Sequence, residues 1–232
     1  MKVVVPIPVL GRFPLLRLTI KRLYEKNKVF KVILIGDEPE TKRIADEMDC
    51  EYVLSTNKPL GFKWNNGFKA AQKYNPDAVL FAGSSDWISD EYINIACQYL
   101  DKFDMIGKNG CHFIDKSNGA MRLVWWAGYD PRKRNETIGI GRLLSGRILN
   151  KFNYMPFNNA FDHSLDYSMN LNIIRNRGKI KILEPNQGSL LSISTDKWGN
   201  KHNFNEHWNN TLPSQKMSLQ PFIKQFPEIH EL

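Results

Sequence analysis

Four short apolar runs punctuate the first hundred residues: "KVVV" (2–5), "KVILI" (31–35), "EYVL" (51–54) and "DAVLFA" (77–82). Between them lie stretches whose apolar residues recur at helical spacing. This alternation constrains the fold more than any other feature of the chain. Pro14 opens a helix at a position where its missing N–H costs nothing, and Leu16, Ile20 and Leu23 follow on one face. Thr41 is placed to cap a short helix carrying Ile44, Ala45 and Met48. Trp64, Phe68 and Ala71 mark the next helix, and Asp90 is placed to cap one with Ile93, Cys97 and Leu100 in register. Strands and helices alternating at this spacing imply right-handed crossovers and a mainly parallel α/β sheet.

The second half reads differently. "DMIG", "CHFID" and "MRLVWWAGY" are strands without helical crossovers between them, and a polar stretch from Asp130 to Glu136 follows. A helix is expected with Leu143, Leu144 and Ile148, and another from Ser164 with Leu165, Met169 and Ile173. "KIKILE" and "GSLLSIS" are late strands, and from Thr195 on the chain turns polar and rich in Asn, His and Trp. With no repeat and no evident linker, residues 1–200 read as a single domain with two halves, 1–107 and 108–200, on which a tail of residues 201–232 packs.

Hydrophobic residues make up 42% of the 232, enough for a packed core and too many for a disordered chain. No apolar run reaches the roughly 18–20 residues of a membrane span. The first strand begins almost at Met1, and Pro6 and Pro8 interrupt the only apolar stretch there, so a cytoplasmic protein without a secretory signal is expected. Cys50, Cys97 and Cys111 are odd in number and lack Cys-x-x-Cys spacing, which argues against a disulfide framework or a zinc cluster. The formal charge of +8 suits anionic partners: nucleotides, nucleic acid or an acidic surface.

In an open parallel sheet, ligands bind outside the carboxyl ends of the strands. That rule selects "PIPVLGR", "GDEPE", "STNKPLGFKWNNG" and "GSSDW". Asp37 is either a contact to a base or ribose or an ordinary cap of the next helix. In the third segment Gly61 and Gly67 allow close backbone approach, Lys63 offers a charge to phosphate, and Asn65 and Asn66 offer amides. In the fourth, Ser84, Ser85 and Asp86 meet the minimum for a hard divalent cation completed by phosphate and water, or else simply close a turn.

The ordered set "VVVPIPVLGR", "VILIGDEPE", "NKPLGFKWNNGFKAA" and "AVLFAGSSDWIS" resembles the nucleotide-binding half of GT-A-fold glycosyltransferases, particularly the family 2-like group. The likeness is good over residues 2–100 and looser to about 200. It implies a nucleotide-diphosphate-sugar donor, UDP favoured, with Pro6 and Arg12 in the first loop, Asp37 at the base and Lys63 and Asn66 on the nucleotide. Ser84, Ser85 and Asp86 stand where these enzymes hold Mn²⁺ or Mg²⁺. This chain reads Gly83-Ser84-Ser85-Asp86 where the family usually reads Asp-x-Asp-Asp, so one carboxylate remains. The resemblance further implies Asp166, or second Asp162, as the base of an inverting transfer, and Arg134 and Arg142 near the leaving diphosphate. It also implies His202 completing the metal shell and Lys197 on phosphate. The acceptor expected is a glycan or glycoprotein, or hydroxymethylated DNA, which steep salt dependence would single out. The alternatives are a nucleotidyltransferase, or a GT-A-like domain that binds without transfer.

Overall fold

The computed structural model describes residues 1–116, 122–126, 136–195, 214–218 and 220–231. Two sheets and the helices around them make up this part of the chain. The larger sheet has seven strands, in spatial order β10-β6-β9-β4-β1-β2-β3. β1 (Val3–Pro8) lies between β2 (Lys31–Gly36) and β4 (Ala78–Leu80), and β3 (Glu51–Leu54) forms the edge beside β2. These four are mutually parallel. β9 (Leu143–Ser145) runs antiparallel between β4 and β6 (Met105–Gly107), and β10 (Ile180–Ile182) pairs parallel with β6.

Burial on both faces explains the apolar runs. Val3, Val5 and Ile7 of β1, with Val32 and Leu34 of β2, pack on the side of α1 (Phe13–Glu25), α2 (Pro39–Glu47) and α4 (Asp90–Cys97). Val4, Ile33 and Ile35 point to the other side, where α3 (Leu60–Ala71), α5 (Gly146–Lys151) and α6 (Leu165–Arg175) supply Trp64, Phe68, Ile148, Met169 and Ile173. The period-2 alternation therefore divides each strand between two cores.

Three local expectations are corrected. Leu143 and Leu144 are strand residues, not the start of a helix: each is fully buried, and they enter opposite cores, as neighbours in a strand must. The helix begins only after Ser145, whose hydroxyl accepts from the Ile148 N–H. Ser89, not Asp90, caps α4, its Oγ accepting from Tyr92 N–H at 3.2 Å. Thr41 sits inside the first turn of α2, fully buried against Gly36, because Pro39 already starts that helix.

The smaller sheet, β12-β8-β7-β11-β5, consists of β5 (Asp86–Ile88), β7 (Cys111–Lys116), β8 (Arg122–Trp126), β11 (Leu190–Thr195) and β12 (Ser214–Met217). The segment expected as one strand over 77–82 thus leaves the large sheet after Leu80, and Asp86 opens an edge strand of the second sheet. No described helix is long and apolar enough to cross a membrane.

The last described residues lock the small sheet onto α1. Phe222 and Phe226, of and just beyond α7 (Gln220–Gln225), bury with Trp87, Leu15, Leu191 and Ile193. Arg22, only 3% exposed, donates to Glu228 at 3.1 Å, to the Gln225 carbonyl and to the Ile88 carbonyl, with Phe226 stacked 4.5 Å away. Truncating Phe226, a fully buried ring, is expected to cost about 3–5 kcal/mol of stability. Urea denaturation of Phe226→Ala checks this, and an unchanged midpoint would contradict the packing described.

Candidate active site

The carboxyl ends of β1, β2 and β3 are tied together by one buried ammonium. Lys63, 1% exposed in the first turns of α3, donates from Nζ to the Val9 carbonyl and to Asn57 Oδ1 (2.5 Å). Asn57 in turn donates to Asp37 Oδ1 at 2.8 Å. Burial lowers the Lys63 pKa to about 8, with Asp37 and Glu38 pulling it back up. The lysine is therefore committed to two protein groups, and through Asn57 to Asp37, while its side chain still lines the cleft beside them.

That cleft, about 460 Å³, lies between the large sheet's strand ends and the edge strand of the small sheet. On one side is the loop after β1, where Gly11 (φ 62°) and Arg12 (φ 55°) are both left-handed. The conformation is free for glycine and costs an arginine roughly 1–2 kcal/mol. Glu38 holds the turn by accepting the Gly11 N–H at 2.9 Å, and the Arg12 carbonyl starts α1. Arg12 Nη1 crosses to Ser85 Oγ at 3.2 Å. Its partial burial lowers its pKa and Asp86 raises it.

Opposite lies the 83–86 turn. Asp86 Oδ2 accepts the Gly83 N–H at 2.7 Å, and Oδ1 accepts from Ser192 Oγ at 3.2 Å. Ser192 faces Asp86 because β11 and β5 pair at that register. Burial pushes the Asp86 carboxyl above the usual carboxylate range. The Gly83 amide, the Ser192 hydroxyl and Arg12 oppose that rise, while the negative charge of Asp166 adds to it. The turn is anchored from behind by Thr19, which donates to the Ser84 carbonyl and accepts from Trp87 Nε1. A stacked pair, Trp64 and Phe81 with centroids 4.0 Å apart, forms the apolar wall.

Of the residues proposed from sequence, Arg12, Lys63, Ser84, Ser85 and Asp86 line this one cleft. Asp37 joins it through Asn57. Pro6 is buried beneath Gly67 of α3, and Pro8 lines the cleft instead. Asn66 turns away and donates to Ser55 Oγ. Gly61 and Gly67 do permit close approach, but of protein: a Cβ at Gly61 would run into the Asn158 carbonyl, and one at Gly67 into Ile35. Asp162 accepts the Leu60 N–H at 2.9 Å, and so caps α3 from the 158–162 loop. Arg142 is wholly buried, donating to Thr137 and to the Asp166 carbonyl and lying 3.5 Å from the Asp166 carboxylate. Asp166 is not one of the lining residues; it stands near Phe81 of the cleft wall at Gly139, where a Cβ would meet Asp166 Oδ1 at 2.8 Å and Phe81 at 3.0 Å. Arg134, Lys197 and His202 lie outside the described residues.

Ser192, Phe81 and Leu10 are cleft residues that sequence reading did not select. Phe81 stands in the run quoted with the 83–86 turn, so proximity in sequence was a usable signal. Ser192 had none, because its place depends on a strand pairing across 106 residues.

A divalent cation in this cleft would find a sparse donor set among the described residues, and His202 lies outside them. Among the described residues no three His, Cys, Asp or Glu converge, and Asp86 is the one carboxylate lining the cleft. Both its oxygens already accept protein hydrogen bonds, and its nearest charge partner is a guanidinium.

No family model matches the chain, and no curated protein matches it. Solved structures do. S. aureus TarS 1–349 superposes with a TM-score of 0.59 at 16% identity, covering 83% of this chain and 60% of that one. The same fragment in complex with UDP gives 0.58 at 16% identity over the same shares. The mannosyltransferase PcManGT from Pyrobaculum calidifontis, in complex with GDP-Man and Mn²⁺, gives 0.56 at 13% identity, over 83% and 56%. The fold is GT-A. The chain spans no more than about three-fifths of the length of these relatives.

The lysine tie has a pH signature. The folded protein releases the Lys63 proton near pH 8, whereas the unfolded chain holds it to about 10.5. Within that window the unfolded state binds more protons, so the Lys63 contribution to stability rises with pH, by at most about 1.4 kcal/mol per unit. The stability of the wild type relative to Lys63→Met should therefore increase between about pH 8 and pH 10, as read by urea denaturation. A flat difference would contradict the buried tie.

Proposed function

We propose that this protein transfers a sugar from a nucleoside-diphosphate sugar, UDP-sugar favoured, to an acceptor hydroxyl. The observation that carries the reading is the cationic cleft at the carboxyl ends of the parallel strands in a GT-A fold, with the Asp166 carboxylate near its Phe81 wall. Arg12 and Lys63 against Asp86 leave the lining net positive, which suits a diphosphate. Structures of similar fold in complex with UDP and with GDP-Man support the donor class.

In this reading Asp37, at the end of β2, meets the base or ribose. The Ser84 and Ser85 segment meets the diphosphate with Arg12. The sugar lies along the Trp64–Phe81 wall, towards Asp166. The acceptor oxygen attacks the anomeric carbon as the bond to the diphosphate oxygen breaks. The electron pair leaves with the diphosphate, and the acceptor proton passes to Asp166. A single displacement of this kind inverts the anomeric centre. Arg142 acts on Asp166 from behind, fixing its position through the Asp166 carbonyl and carboxylate.

The reading separates the two aspartates proposed as base, Asp166 near the Phe81 wall and Asp162 at the start of α3. Asp166→Asn should lower kcat by about 10²–10⁴ while leaving nucleotide affinity nearly unchanged, because proton removal is lost and the donor floor is intact. Asp162→Ala should leave kcat close to wild type and cost stability of about 1 kcal/mol, through the lost α3 cap. Release of nucleoside diphosphate from a panel of UDP- and GDP-sugars, with and without sugar acceptors, provides the assay. Failure to bind or cleave any sugar nucleotide would sink the transferase reading and leave a binding domain.

A further inference from the structure

We propose that Arg12, and not a divalent cation on Asp86, is the charge that meets the donor's diphosphate. The inference rests on the donor reading above and deepens it. Its basis is how the three charged groups of the cleft are already engaged.

Lys63 has two of its three N–H donors committed, to the Val9 carbonyl and to Asn57. Asp86 accepts one hydrogen bond on each oxygen, from the Gly83 amide and the Ser192 hydroxyl, and it is the one carboxylate among the described residues that line the cleft. A divalent cation there would sit beside the Arg12 guanidinium, whose charge already offsets the single carboxylate, and like charges at that range repel. Arg12 is the exception. A guanidinium carries five N–H donors, and among the described residues its one hydrogen bond is from Nη1 to Ser85 Oγ. The remaining donors belong to a side chain that lines the cleft.

The backbone fixes where those donors stand. Gly11 and Arg12 are held left-handed, with Glu38 accepting the Gly11 N–H, so the side chain leaves a defined turn. Strain of this kind persists where the surroundings over-determine it, which is the case here. The Ser85 contact fixes the far end. A guanidinium pinned at both ends presents a planar fork that matches a pair of phosphate oxygens. When the glycosidic bond breaks, the electron pair remains on the diphosphate, and the Arg12 N–H groups donate to the charge that develops. Asp86 is then a positioning residue: it closes the 83–86 turn and orients the arginine.

The test is calorimetric binding of UDP and GDP to the full chain, in EDTA and in Mn²⁺, with four proteins: wild type, Arg12→Asn, Arg12→Lys and Asp86→Asn. Asn is chosen because it tolerates a left-handed backbone, and thermal unfolding verifies that each variant is folded. The wild type is expected to bind within about threefold as well in EDTA as in Mn²⁺. Arg12→Asn should lose roughly 10- to 100-fold, the size of a charge-assisted bidentate contact. Arg12→Lys should recover part of the loss, since it restores the charge without the fork, and Asp86→Asn should weaken binding without making it sensitive to metal. Binding that vanishes in EDTA but survives Arg12→Asn would overturn the proposal while leaving the donor reading intact. Absence of nucleotide binding with and without metal would overturn both.

Discussion

The buried Lys63 ammonium is the interaction on which the cleft depends. Three loops follow β1, β2 and β3, and beside the Glu38–Gly11 bond one side chain links all three. A single charged group binds the Val9 carbonyl of the first and Asn57 of the third, and through Asn57 reaches Asp37 of the second. Burying a lysine costs desolvation, visible in its lowered pKa, and the hydrogen bonds must offset that cost. Removing the ammonium would leave the acceptors Val9 O and Asn57 Oδ1 without the donor the fold supplies. The residue that holds the strand ends in register therefore also fixes the width of the cleft mouth.

The opposite wall is held by a different means. Main-chain bonds join Phe81 to Gly141 and Arg142, so the segment leaving β4 is clamped to the strand-like stretch entering β9. Arg142 lies behind this clamp and reaches Asp166. Phe81, stacked on Trp64, stands near Asp166 at Gly139 and lines the cleft with Arg12 and Asp86, and Asp86 and Asp166 still feel each other electrostatically. Low-dielectric walls between charged groups strengthen their influence on whatever lies in the cleft.

Much of this was legible in the sequence, and the boundary follows a physical line. The parallel strands announce themselves because burial on both faces demands apolar residues at every position, and the helices because Pro14 and the spacing of Leu16, Ile20 and Leu23 are local signals. The strand-end rule then brought Arg12, Lys63, Ser84, Ser85 and Asp86 to one place. β9 was illegible because two adjacent leucines before a helix fit helical and extended patterns equally well over three residues. Asp162 and Arg142 looked like site residues because a carboxylate and a guanidinium read the same whether they cap a helix, bury in a core or face a ligand. Only tertiary contacts decide between those uses.

The contacts that complete the Asp86 side of the cleft come from far down the chain. Ser192 meets Asp86 across 106 residues, and Glu228 meets Arg22 across 206. A ribosome releases the β1–β4 strands, Lys63 and the Gly11–Arg12 turn long before either partner exists. Vectorial synthesis thus presents the cation first and its carboxylate's setting last, since loops of this length close late and slowly. The cleft is complete only once β11 has been made, so a nascent chain that stops short of it holds the large sheet's half of the site without its closing wall.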